Sequence, residues 1–125
     1  MKKIILDTNF LLIPAQFKID IFSELNNLLP NSKLFVLDKT IEELKQITTD
    51  KKQKAKNKAA AKLALCLLKS KKIKIIITPK GRVDDILTTK TDYIIATQDI
   101  NLRKRLKKNK IKTIILRQKK YLKIA

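Results

Sequence analysis

The feature that most constrains how this chain can fold is a series of short, uninterrupted apolar runs separated by segments of helical periodicity. Ile4, Ile5 and Leu6 form the first run, and others follow at Leu34 to Leu37, Ile73 to Ile77, Tyr93 to Ala96 and Thr113 to Leu116. A continuous run rich in β-branched or aromatic residues suits a strand covered on both faces, whereas a half-exposed strand alternates. Between the runs, Ile19, Phe22, Leu25 and Leu29 keep helical spacing, as do Ile41, Leu44 and Ile47. The stretch from Lys51 to Lys69 begins lysine-rich and ends rich in alanine and leucine, as expected of a helix passing from solvent into a core. Ile100 to Lys108 predicts a last, basic helix. Alternation of this kind predicts an α/β protein with a parallel sheet, helices on both faces and right-handed crossovers. The 125 residues suffice for one domain, spanning 1–125, and are too few for two ordinary ones.

The charge balance narrows the choice of partner. Thirty Lys and Arg against eleven Asp and Glu leave a formal net charge of +19, which repels itself unless an anionic partner screens it. Nucleic acid is the expected partner, although lysine and isoleucine enrichment also accompanies some genomes and heat-adapted proteins whatever their function. With no apolar stretch near 18 residues and no signal-peptide pattern, the expectation is a soluble, cytoplasmic protein without a membrane partner. Cys66, the single cysteine, excludes a disulfide framework and a cysteine-rich zinc site, and its apolar neighbours predict a buried packing role. The absence of histidine removes the usual serine triads, histidine-ligated zinc and histidine general bases. One glycine, Gly81, rules out a glycine-rich phosphate loop or dinucleotide fingerprint. Any chemistry must come from carboxylates, hydroxyls or lysines.

The carboxylates fall at expected connections. Asp7 directly follows the first strand and Asp99 closes the segment after Tyr93 to Ala96, so both lie outside carboxyl ends of strands, where open parallel sheets bind ligands. Glu42 and Glu43 are expected to open the helix after the second strand, and Asp84 and Asp85 the helix after the third. Carboxylates converging on one pocket repel each other unless a cation sits among them, and oxygen-only ligation selects hard ions such as Mg²⁺ or Mn²⁺. Such an ion can activate water and stabilise phosphoryl charge, so phosphodiester hydrolysis fits a chain without histidine. Each acid also has a purely structural explanation. Thr40 and Glu43 have capping-box spacing, Asp99 can cap the helix from Ile100, Asp84 and Asp85 suit a helix amino end, and Asp7 can stabilise a turn.

Taken in order, Asp7-Thr8-Asn9, Ile41-Glu42-Glu43-Leu44, Val83-Asp84-Asp85-Ile86-Leu87 and Ile95-Ala96-Thr97-Gln98-Asp99 resemble the PIN-domain nucleases over almost the whole chain. The segments Lys80 to Asp85, Tyr93 to Asp99 and Leu102 to Arg105 look most like archaeal and eukaryotic PIN proteins of small-subunit rRNA processing, with VapC-type toxins next. The zinc-ribbon cysteines of larger ribosome-assembly relatives are lacking. The resemblance implies a three-layer α/β/α sandwich around a parallel sheet of about five strands, and Mg²⁺- or Mn²⁺-dependent endonuclease cleavage of single-stranded RNA, such as pre-rRNA. It places the family's catalytic and metal-binding quartet on Asp7, Glu43, Asp84 and Asp99. Asp84 is preferred to Asp85 because Ile86 and Leu87 then occupy the apolar positions two and three residues on. Asp85, Thr97 and Asn9 are supporting candidates. A homodimer is compatible with the resemblance, and an antitoxin protein partner is expected only of a toxin.

For RNA contact, Lys80, Arg82, Arg103, Lys104 and Arg105 are the candidates, since they flank the acidic edge and positive charge early in a helix opposes the helix dipole. A solvated lysine face is the plainer explanation of the remaining basic runs. Few aromatics and no stacking platform disfavour a pure single-strand binder. A non-catalytic RNA-binding assembly protein is the alternative from a different class.

Overall fold

The computed structural model describes residues 2–125. Its centre is β1 (Lys3–Leu6), whose Ile4, Ile5 and Leu6 are fully buried, each burial contributing roughly 1.5–3 kcal/mol. Alternate residues of β1 serve opposite faces. Ile4 and Leu6 join a core completed by Phe10, Ile21, Leu25, Leu44, Ala61 and Ala64, while Ile5 joins a second with Leu37, Leu87, Ile95, Leu102 and Leu106. A run apolar at every position is therefore needed, and the three-layer sandwich follows.

Six strands form one sheet in the order β3-β2-β1-β4-β5-β6. Besides β1 these are β2 (Lys33–Leu37), β3 (Lys74–Ile76), β4 (Ile94–Ala96), β5 (Thr113–Arg117) and β6 (Tyr121–Ile124). The first five are parallel, as expected; β6 is an added antiparallel edge, with Leu116 opposite Leu122 and Arg117 opposite Tyr121. The chain winds outward from β1 through β2 to β3, then returns to place β4 on the other side of β1. The β1–β4 seam is thus the topological switch point, where the carboxyl ends of neighbouring strands open a crevice.

On the first face lie α1 (Thr8–Leu11), α2 (Ile13–Phe17), α3 (Ile21–Leu28), α4 (Asp38–Thr49) and α5 (Ala55–Ser70); α6 (Val83–Leu87) and α7 (Ile100–Lys108) cover the other. Asp20 caps α3 by accepting from Phe22 N and Ser23 N. Helix α4 begins at Asp38 rather than at Glu42, so Glu42 and Glu43 lie in its second turn. Its N-cap is Leu37, without a side-chain cap, and Thr40 is buried inside the helix, so the Thr40–Glu43 capping box does not form. Helix α5 buries Ala60, Ala61, Ala64 and Leu68 on one stripe. Cys66, two positions after Ala64, turns about 200° away from that stripe. It is exposed, contrary to the packing role expected of it. Gly81 has φ +141°, which suits its place in the loop before α6. Among the described residues no helix is long and apolar enough to cross a membrane.

Candidate metal centre

At the β1–β4 seam, pairing continues one residue past the strand, with Asp7 N donating to Ala96 O at 2.9 Å. This fixes Asp7 at the mouth of the crevice, only 8% exposed. Its two carboxylate oxygens have different partners. Oδ1 accepts from Thr8 N at 2.9 Å and caps α1, while Oδ2 accepts from Thr97 Oγ1 at 2.8 Å. Burial pushes the Asp7 pKa up, the bonds from Thr97 and Thr8 oppose the rise, and the charges of Asp84 and Asp99 add to it.

Thr97 is fully buried and organises the far side of the seam. A hydroxyl carries one proton, and the shorter contact assigns it to Asp7 rather than to Asn9 Oδ1 at 3.3 Å. The same oxygen accepts from Asp99 N at 3.2 Å. Asn9 Oδ1 accepts from Gln98 N at 2.9 Å, and Gln98 Oε1 accepts from Leu116 N at 2.9 Å. Asp7, Asn9, Thr97, Gln98 and β5 are thereby tied into one network. Gln98 was not singled out in the sequence; amide residues in loops are too common to mark it.

Asp99 caps α7, its Oδ1 accepting from Leu102 N at 3.1 Å, which commits one oxygen and leaves the other without a hydrogen-bond partner among the described residues. The capping explanation of Asp99 is therefore correct, and it is compatible with a place in the acidic cluster. Glu43, half-buried on α4, has its pKa raised by burial, with the charges of Asp7 and Asp84 adding to the rise. The Thr8 hydroxyl lies near enough to Glu43 to oppose that rise, yet among the described residues it is buried without completing a hydrogen bond. Asp84 and Asp85 sit side by side in the first turn of α6 but face different surroundings. The charge of Asp84 acts on both Asp7 and Glu43, whereas Asp85 pairs with Arg105 at 2.8 Å. Glu42 is exposed.

Asp38 holds the loop that leads into α6. Its Oδ1 accepts from Thr78 Oγ1 at 2.6 Å and from Lys39 N at 2.9 Å, and Lys39 Nζ donates to Pro79 O at 2.8 Å. The Thr78 hydroxyl beside Asp38 lowers its pKa. No sequence signal marks a pair 40 residues apart.

Asp7, Glu43, Asp84 and Asp99 thus share an electrostatic field at one sheet edge. Among the described residues no three acids stand close enough to hold one ion as they are placed. The chemistry of the donor set, all of it oxygen, suits a hard divalent cation: among the described residues one oxygen of Asp99 and the buried Thr8 hydroxyl make no hydrogen bond. Mutual repulsion within the set is what such a cation relieves.

Comparison with known proteins extends the picture. A family model described as a PIN-like domain matches residues 4–119. Ribonuclease VapC4 of Methanocaldococcus jannaschii is 34% identical over 129 residues, covering 99% of this chain and 97% of its own. The structure of the PIN domain endonuclease Utp24 superposes with a TM-score of 0.78 at 24% identity, over 98% of this chain and 90% of that one. A domain of a functionally unknown protein from Methanocaldococcus jannaschii superposes with a TM-score of 0.65 at 16% identity, over 93% and 91% of the two chains.

Proposed function

The chain belongs to the PIN-like domain family, and from that premise we propose that it is a divalent-metal-dependent endoribonuclease that hydrolyses single-stranded RNA. One observation carries the reading: at the topological switch point the charges of Asp84 and Asp99 act on the buried Asp7, and those of Asp7 and Asp84 act on Glu43. These four residues would hold Mg²⁺ or Mn²⁺, which when bound supplies charge stabilisation for a phosphoryl oxygen and an activated water. Thr97 fixes the orientation of Asp7 and Asn9 braces the segment that carries Asp99. Asp84 is the α6 ligand, since Asp85 is engaged by Arg105.

The likeness of Lys80 to Asp85 and of Leu102 to Arg105 to small-subunit rRNA-processing proteins supports a substrate in precursor rRNA, handled in the cytoplasm. The test is incubation of the purified protein with total RNA, with Mn²⁺, with Mg²⁺ and with a chelator, followed by mapping of new 5′ ends. Metal-dependent ends clustered in precursor rRNA are expected; an end pattern identical in all three reactions would contradict the reading.

A second reading, a toxin held inactive by an antitoxin protein, is favoured by the full-length match to Ribonuclease VapC4. Expression of the chain alone in a heterologous cell separates the two. Growth arrest that needs Asp7 and is relieved by one small protein from the source organism supports the toxin. Tolerated expression, with crosslinks to precursor rRNA in the native cell, supports the processing enzyme.

A further inference from the structure

Away from the acidic crevice, α7 forms one wall of a groove of about 310 Å³ whose floor includes Ile111 and Thr113 at the amino end of β5. The helix supplies Ile100, Arg103, Lys104 and Lys107 to that wall, an i, i+3, i+4, i+7 stripe. The core-facing residues of α7 are Leu102 and Leu106, and Arg105 lies outside the groove, engaged by Asp85. Ala125 and its carboxylate also line the groove, but among the described residues no carboxylate forms an ion pair with Arg103, Lys104 or Lys107, so three cations share one groove with a single negative group. In addition, Arg103 Nε is buried with no hydrogen-bond partner. A buried guanidinium N–H without an acceptor is uncommon in folded proteins, and it leaves Arg103 a donor that an anion drawn to the groove can satisfy.

We propose that this groove binds consecutive phosphates of the RNA strand that leaves the acidic crevice, a reading that rests on the ribonuclease function proposed above. Geometry supports the path. The groove begins at Ile100, the residue after Asp99, and runs along α7 toward the amino end of β5, away from the carboxylates. Four residues of helix advance about 6 Å, so Arg103 and Lys107 can meet neighbouring phosphates of one strand. The planar guanidinium of Arg103 suits two-point contact with a phosphate, and Lys104 and Lys107 act as point charges. Arg105, one of the expected RNA contacts, is excluded from the groove by its ion pair.

The experiment measures binding of a fluorescent 12-nucleotide oligouridylate in chelator, so that no cleavage takes place, across a salt titration. Lys104 and Lys107 are both exposed, so the double variant Lys104→Gln, Lys107→Gln folds as the parent does. Loss of two phosphate contacts predicts a log–log salt slope shallower by about 1.4. The control, Lys56→Gln with Lys62→Gln on the opposite face, removes the same charge from exposed positions of α5 and leaves the slope unchanged. Arg103→Lys keeps the charge and removes Nε; several-fold weaker binding with an unchanged slope is expected. Equal slopes for the two double variants, or parental affinity for Arg103→Lys, would overturn the proposal. Because this assay contains no metal, absence of cleavage elsewhere would sink the nuclease reading while leaving the groove result to stand by itself.

Discussion

The Thr97 hydroxyl lies 2.8 Å from Asp7 Oδ2, joining residues 90 positions apart across the one seam of the sheet where the chain reverses its direction of winding. A buried carboxylate needs a donor, and the donor needs a fixed place; the parallel β1–β4 pairing supplies both.

Thr97→Val keeps the side-chain shape and removes that donor. It leaves a buried carboxylate oxygen and the amide of Asp99 without partners, so a stability loss of about 1–3 kcal/mol is expected in urea denaturation. The Asp7 pKa should rise further, because a bond that opposed the rise is gone. Thr97→Ser, which retains the hydroxyl, should recover most of the loss.

Folding raises the pKa of Asp7 above its ordinary 3.8 and that of Glu43 above its ordinary 4.5. The native state therefore binds these protons more readily than the unfolded chain, and their ionisation costs stability at pH values above the folded pKa. That cost is relieved as pH falls from the folded pKa toward the ordinary values. Asp7→Asn removes the Asp7 share of the linkage, so it should be more stable than the parent at neutral pH without metal, and the gap should narrow toward pH 4. A constant gap would show that Asp7 is not destabilised by its surroundings.

The two aspartates of α6 give a ranking. Asp84→Asn should abolish cleavage, whereas Asp85→Asn breaks an exposed ion pair worth roughly 0–1 kcal/mol and should leave most of the activity. Initial rates on one labelled RNA decide the order, and the reverse order would assign the α6 position to Asp85.

The β5–β6 hairpin turns through Gln118 and Lys119, with φ of 53° and 55°, and Lys120 N donates to Arg117 O at 3.0 Å. Two successive left-handed residues make a type I′ turn, which favours Asn-Gly and costs other residues about 1–2 kcal/mol each. Lys119→Gly should raise stability by about 1 kcal/mol in urea denaturation, and a loss would show that Lys119 makes a compensating contact.

That turn also explains why β6 was not legible in the sequence: Gln118, Lys119 and Lys120 between the paired Arg117 and Tyr121 carry none of the Gly, Asn or Asp chemistry by which a tight hairpin is recognised. Strands β1, β4 and β5 were legible because burial on both faces requires apolar residues at every position, as Ile4, Ile5 and Leu6 show; β3 carries a similar run but is an edge strand with Ile75 and Ile77 exposed, contrary to the two-sided burial expected of it. Asp7 and Asp99 could be placed because each directly follows such a run. Glu43 was misplaced by a turn because Asp38 starts its helix without a capping side chain, and Cys66 was misread because an apolar neighbourhood in sequence does not fix the side of a helix. The Asp38–Thr78 contact and the choice between Asp84 and Asp85 depend on where distant loops meet, and that requires the fold.

The most direct test compares the parent and Asp7→Asn in cleaving one 5′-labelled single-stranded RNA, with Mn²⁺ and with chelator. The account predicts internal cleavage by the parent only when metal is present, and none by Asp7→Asn although its fold and its RNA affinity in chelator persist. Cleavage by Asp7→Asn at the parental rate, or by the parent in chelator, would contradict a metal-dependent nuclease built on this acidic edge.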